Sequence, residues 1–108
     1  MSLSPGDLVS VLLNPSEGSE QHGLRPCVVI SPKSLNENLS ICTVIPLTTS
    51  LKNWPTRVET NLDGVEGQAA VEQIRTISQS RIKKKKGSVP QNILDEIRLV
   101  IRQTFTEP

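Results

Sequence analysis

Short apolar, β-branched runs, each cut off by a cluster of turn-forming residues, leave this chain little choice but a small antiparallel β structure. Asp7–Leu13 (DLVSVLL), Cys27–Ser31 (CVVIS) and Ile41–Leu47 (ICTVIPL) are predominantly apolar. Thr56–Thr60 (TRVET) alternates as a half-exposed strand would, and Gln68–Ile77 (QAAVEQIRTI) holds one long strand or two short ones. Between them lie NPSEGSEQHG, SPKSLNENLS, TSLKNWP and NLDGVEG, rich in Gly, Pro, Asn and Ser. Those residues supply turn conformations and break both helix and strand patterns. Runs of this length and spacing predict a small barrel or sandwich.

The C-terminus changes period. Ser88-Val-Pro-Gln91 has a capping-box pattern, with Pro90 accepted in the first turn because its missing N–H has no partner there. Ile93, Leu94, Ile97, Val100 and Ile101 then recur at helical spacing. Asp95 and Glu96 precede Arg98 and Arg102, an order that suits the helix dipole. The predicted class is therefore mainly β (α+β): short antiparallel strands and a C-terminal amphipathic helix. The 108 residues are expected to form one domain, since a chain of that size removes roughly two-thirds of its unfolded surface from water.

Charge and composition exclude several functions. A formal net charge of +1 gives no global field to drive the chain onto nucleic acid, so any such binding must come from local clusters. Trp54 and Phe105 are the only aromatics, which excludes a multi-base stacking platform of the RNA-recognition-motif kind. No stretch approaches the ~20 apolar residues of a membrane span, and MSLSPGDL has neither the basic nor the apolar part of a secretion signal. Cys27 and Cys42 lie inside apolar runs, fourteen residues apart. That spacing fits neither a redox pair nor half a zinc site; buried, reduced thiols in a cytoplasmic protein are expected. One His with scattered carboxylates supplies no metal-ligand cluster.

The ordered motifs GDLVSVLLNPSEGSEQHGLRPCVVIS, VIPLTTS and VEQIRTIS, followed by a basic stretch and a helix, resemble the MazF/PemK family of toxins. The likeness runs from about Gly6 to about Phe105. It implies an SH3-like barrel, a homodimer, and sequence-specific cleavage of single-stranded RNA without metal or cofactor. It also implies a cognate antitoxin whose acidic, partly disordered segment covers the RNA groove. Carried over by motif, the active arginine is Arg25, directly before Pro26, and the active threonine is Thr48, with Thr49 beside it. Glu20 and Gln21 match groove-lining positions, and Gln73 and Arg75 match a segment near the cleft. The loops that choose the RNA sequence, Lys33–Ser40 and Ser50–Pro55, vary widely in the family, so the target sequence does not carry over.

The chemistry assigns roles within that resemblance. Metal-free cleavage uses the 2′-hydroxyl as nucleophile and leaves a 2′,3′-cyclic phosphate and a 5′-hydroxyl. Arg25, permanently charged and planar, suits phosphorane stabilisation better than base catalysis. Thr48 offers a hydroxyl to a phosphate oxygen. Glu20 is the first candidate proton acceptor; His22, chemically apt, sits where the resemblance marks no function. Trp54 has two open readings, a cap on the core and a surface for a base. Lys83–Lys86 reads as a solvated turn or edge strand, the alternative being contacts to RNA phosphates or an acidic antitoxin.

Two other functions fit the same outline. A CcdB-like toxin shares the fold and inhibits DNA gyrase by protein contacts, but needs no RP and TT positions filled as here. A non-catalytic SH3-like binding module usually has an aromatic-lined groove, which this composition denies.

Overall fold

The computed structural model describes residues 2–13 and 23–108. Among the described residues seven strands form one antiparallel sheet: β1 Asp7–Leu12, β2 Leu24–Val29, β3 Ile41–Thr48, β4 Arg57–Glu59, β5 Gln68–Ala70, β6 Arg75–Ser78 and β7 Ile82–Ser88. Two α-helices accompany them among those residues, α1 Lys33–Asn38 and α2 Gln91–Thr106. Pairing runs β4-β5-β3-β2-β1-β7, with β6 also on β3.

The eight-residue strand β3 is shared along one edge. Its end pairs with β5 (Leu47 with Ala69, Thr48 with Gln68) and its start with β6 (Ile41 with Ser78, Val44 with Arg75). A 3-10 turn, Val71–Gln73, steps the chain between the two. The run Gln68–Ile77 is thus two short strands.

The antiparallel strands and C-terminal helix are as expected, and the barrel is an open one: no ladder joins β4 or β6 to β7 among the described residues. The sheet nevertheless curls. In a flat order β7-β1-β2-β3-β6 the outer strands would lie about 19 Å apart. The three-residue turn Gln79–Arg81 joins them, and so short a link spans no more than about 14 Å. The curl is closed by that turn, which offers no strand for a ladder.

Alternation along the strands divides the core in two. Val9, Val11, Cys27, Val29, Cys42, Val44, Ile77 and Ile82 pack inside the curl. Val28, Ile45, Val58, Ala69 and Val71 face the other way and receive Ile93, Leu94, Ile97 and Val100 of α2. The helical stripe read from the sequence is the buried face of α2. Its capping box does not form. Ser88 is the last residue of β7, and Pro90 occupies the N-cap with no side-chain bond.

The segment expected to be a loop, Lys33–Ser40, contains α1. Six residues of turn-forming composition would not hold a helix alone. Tertiary bonds hold it here. Buried Asn36 donates to the carbonyls of Leu3 and Ser31 at 3.0 Å each and accepts from Ser31 Oγ at 2.6 Å. The Gln79 amide donates to the carbonyls of Asn36, Leu39 and Ile41.

The stretch Lys83–Lys86 lies in the edge strand β7, its lysines exposed. Lys85 pairs with the buried Asp7 at 3.1 Å. The far end of β1 is tied by two bonds. Leu13 N–H donates to the Gly23 carbonyl at 3.2 Å, and Arg81 Nη1 donates to the Leu13 carbonyl at 3.1 Å. Cys27 and Cys42 are free and buried. No helix among the described residues is long and apolar enough to cross a membrane.

Candidate active site

Arg25 and Thr48 reach one cleft because of strand register. Cys27 pairs with Pro46 across β2 and β3; Arg25 and Thr48 each lie two positions further along, where period-2 alternation puts both on the same face. A cleft of about 400 Å³ is lined by Arg25, Pro26, Thr48 and Thr49 together with Leu47 and Leu8. Its other wall comes from the β4–β5 connection: Thr60, Leu62, Asp63, Val65 and Gly67, with Lys86 of β7.

Arg25 is exposed, and no acidic side chain among the described residues lies within ion-pair distance of it. Among the described residues, then, no carboxylate competes with an anion for its guanidinium. Thr48 Oγ1 accepts from the Ser50 N–H at 3.0 Å. That bond uses one lone pair and leaves the hydroxyl proton free to donate.

The wall opposite is built by a tight hairpin. Asp63 and Gly64 both have positive φ, 52° and 75°, and Leu62 pairs with Val65 around them. This is the Asp-Gly geometry that two-residue hairpins favour. Gly67 runs so close to Thr48 that a Cβ there would stand 3.2 Å from the Thr48 carbonyl oxygen. The close approach sets the cleft's width at that threonine.

The cleft does not include Gln73, Arg75 or Trp54. Gln73 is exposed at the end of the 3-10 turn Val71–Gln73, and Arg75 is exposed on β6, opposite Val44. Burial pushes the Cys27 thiol up to about 12, against the pull of the Arg75 and then the Arg25 charge, while Cys42 pushes with it. Glu20, Gln21 and His22 lie outside the described residues.

Next to the cleft the Ser50–Pro55 loop is held by side chains that carry no motif. Gln68 accepts from Lys52 N–H at 3.0 Å and donates to the Lys52 carbonyl at 3.1 Å and to Glu59 at 2.7 Å. Arg57 donates to Glu72 Oε2, the Ser50 carbonyl and Gln68 Oε1, at 2.9, 2.9 and 3.0 Å. Thr56 Oγ1 donates to the other Glu72 oxygen at 2.7 Å. Burial works to raise the Glu72 pKa, but bonds from Thr56, its own backbone and Arg57, with the Arg57 charge, hold the carboxyl below its ordinary value. Sequence reasoning missed Arg57, Gln68, Glu72 and Asp63, while Lys86 belongs to the Lys83–Lys86 stretch for which it kept contacts to RNA phosphates as an alternative. The Asp-Gly pair alone left a readable signal, since DG marks a tight turn.

Fold and site together define a small helix-backed β protein with an arginine–threonine cleft open to an anion. Comparison places it further. The profile of the PemK-like, MazF-like toxins of type II toxin–antitoxin systems matches residues 4–105. The chain is 37% identical over 97 residues to the endoribonuclease toxin MazF of Escherichia coli (strain K12), covering 89% of this chain and 87% of that one. It superposes on the crystal structure of MazF (Form-I) from Deinococcus radiodurans with a TM-score of 0.83 at 27% identity, covering 99% of each. The MazE–MazF crystal structure (Form-II) from the same organism gives 0.81 at 22% identity, over 100% of this chain and 99% of that one. The chain belongs to the PemK-like, MazF-like family of toxins of type II toxin–antitoxin systems.

Proposed function

We propose that this chain is the endoribonuclease toxin of its pair, cutting single-stranded RNA at specific sequences without a metal ion. The observation that carries the reading is the cleft in which Arg25, free of any described acidic partner, meets Thr48. The E. coli relative at 37% identity is named an endoribonuclease toxin, which supports the same activity here.

In this reaction the 2′-oxygen attacks the adjacent phosphorus and gives its proton to a base, for which we propose Glu20. The new O–P bond closes a 2′,3′-cyclic phosphate, and the bond to the 5′-oxygen breaks. That oxygen takes up a proton and leaves as a hydroxyl. Arg25 holds the two non-bridging oxygens as charge gathers on them, and the Thr48 hydroxyl donates to one. Positioned donors act most strongly on charge that develops in the transition state. Gln21, Thr49, Gln73, Arg75 and Trp54 are proposed to hold the RNA on either side.

The proposed partners are single-stranded RNA, a second copy of the chain and a cognate antitoxin with an acidic segment, all in the cytoplasm. The family's place in toxin–antitoxin systems supports the antitoxin.

The test is cleavage of a long single-stranded RNA in excess EDTA, native protein against Arg25→Ala. Discrete cuts with cyclic-phosphate ends, lost in the variant, are expected. Intact RNA with folded native protein overturns the reading and directs the search to a protein target such as gyrase.

A further inference from the structure

Trp54 is the chain's single tryptophan, and the residue is 49% exposed. A large aromatic surface in water is costly unless something covers it or it serves to bind. The Arg57 guanidinium lies over the ring, 4.8 Å from its centroid, and Lys52 Nζ lies over it at 5.7 Å. The Arg57 side chain is only 4% exposed. Its position is fixed on every side, by Glu72, Gln68 and the Ser50 carbonyl. Its backbone N–H also returns to the Trp54 carbonyl at 3.1 Å. Trp54 thus packs against a buried cation that is itself hydrogen-bonded in place.

We propose that Arg57 is a positioning residue for RNA sequence choice: it holds the Ser50–Pro55 loop so that Trp54 forms a rigid shelf on which one unpaired base stacks. The inference rests on the ribonuclease reading above and names the ligand chemistry of a subsite beside its cleft. Two features point to a base rather than to another apolar group. The ring is planar and its loop is held in place, so stacking costs little side-chain entropy, and the cation packed on it favours an electron-rich partner surface. Lys52, whose ammonium lies over the same ring, provides charge for the phosphate that accompanies that base. Thr49, at the cleft, is five residues from Trp54, a reach of at most about 18 Å. The stacked base therefore belongs to a nucleotide flanking the scissile bond. One shelf takes one base, in keeping with a chain that has only two aromatics.

A single tryptophan makes the test direct. In the cleavage-deficient Arg25→Ala protein, single-stranded RNA containing a cut site is expected to quench and shift Trp54 emission, while duplex RNA leaves it unchanged. In otherwise native protein, Trp54→Ala is expected to raise KM by about 5- to 150-fold, the span typical for loss of one stacked base, with a much smaller change in kcat. Arg57→Lys, which keeps the charge but loses the planar fork, is expected to blur the cut pattern along a long RNA without abolishing cleavage. Glu72→Gln serves as a second variant should Arg57→Lys fail to fold. Cleavage by native protein with emission unmoved by RNA, and an unaltered cut pattern in the folded variants, overturns this inference alone. Failure of native protein to cut any RNA overturns the ribonuclease reading instead.

Discussion

Thr48 and Gln68 face each other across the β3–β5 ladder. The hydroxyl at the cleft and the amide that anchors the Ser50–Pro55 loop thus stand on paired residues. Gln68 is buried, and each hydrogen-bonding position of its amide is used: the oxygen accepts from Lys52 and Arg57, the nitrogen donates to Lys52 and Glu59. A displacement of the loop is therefore felt at the ladder position that carries Thr48.

Gln68→Leu keeps the volume and deletes all four bonds. The backbone groups of Lys52 and the Nη1 of Arg57 each lose a partner. Stripped partners cost about 1–3 kcal/mol, and chemical denaturation should show a loss in that range. Trp54 emission should change in the folded state as the loop loosens.

Thr48→Val separates chemistry from folding. The residue is half-buried and the substitution nearly isosteric, so the main structural loss is the bond from Ser50 N–H. A fall in kcat of about 10²–10³ is expected, as for loss of one positioned donor. Single-turnover cleavage of an RNA carrying one site measures it.

Ile97 is fully buried where α2 meets the sheet. Ile97→Ala should destabilise the chain by about 2–5 kcal/mol through lost burial and the cavity left behind. Denaturant titration checks this, with unchanged slope if the unfolded state is unaffected.

The Cys27 thiol remains protonated in the folded chain up to about 12, whereas an exposed thiol ionises near 9.0; burial is the main cause. Between those values the unfolded chain has lost a proton that the folded chain keeps. Stability should fall as pH rises through this window, by at most about 1.4 kcal/mol per pH unit from this group. Cys42, also raised by burial, adds in the same direction. Denaturation midpoints between pH 8 and 11 should show the decline, with a shallower slope in Cys27→Ala. A flat profile would contradict it.

Glu72 works at the acid end. Its folded pKa lies below the ordinary 4.5, so the stability it contributes is present above that value and is lost as pH falls through the folded pKa. Trp54 emission followed from pH 6 to 2 should report loosening of the loop, and Glu72→Gln should remove that transition.

The strand runs, the helical stripe of α2 and the chain's family could be read from the sequence because each leaves a local pattern. Val9 and Val11 alternate with Leu8 and Ser10, and Ile93, Leu94, Ile97 and Val100 repeat at helical spacing. What escaped was set by distant contacts. The helix α1 depends on Asn36 reaching Leu3 and on Gln79 reaching three carbonyls. Pro90 took the cap position because Ser88 was claimed by the β1–β7 ladder. The open sheet reflects a 3-10 turn at Gln79–Arg81 that no composition announces. At the site, the RP and TT pairs drew attention to Arg25 and Thr48. Gln68 and Glu72 were invisible, because an amide and a carboxylate become a loop anchor only once β5 and the 3-10 turn bring them to Arg57.

The stem at Leu13 and Gly23 has an evolutionary consequence. Leu13 N–H donates to the Gly23 carbonyl and Arg81 ties off the Leu13 carbonyl, so the scaffold holds the chain at both of these described positions. Once the ends of a segment are pinned by the scaffold, doubling its length costs only about 0.6 kcal/mol in closure entropy. A change of length between those two anchors is therefore cheap for the sheet that holds them. Chemistry sets the limit instead: the proposed roles of Glu20 and Gln21 constrain which residues fill the interval, where the scaffold constrains only its ends.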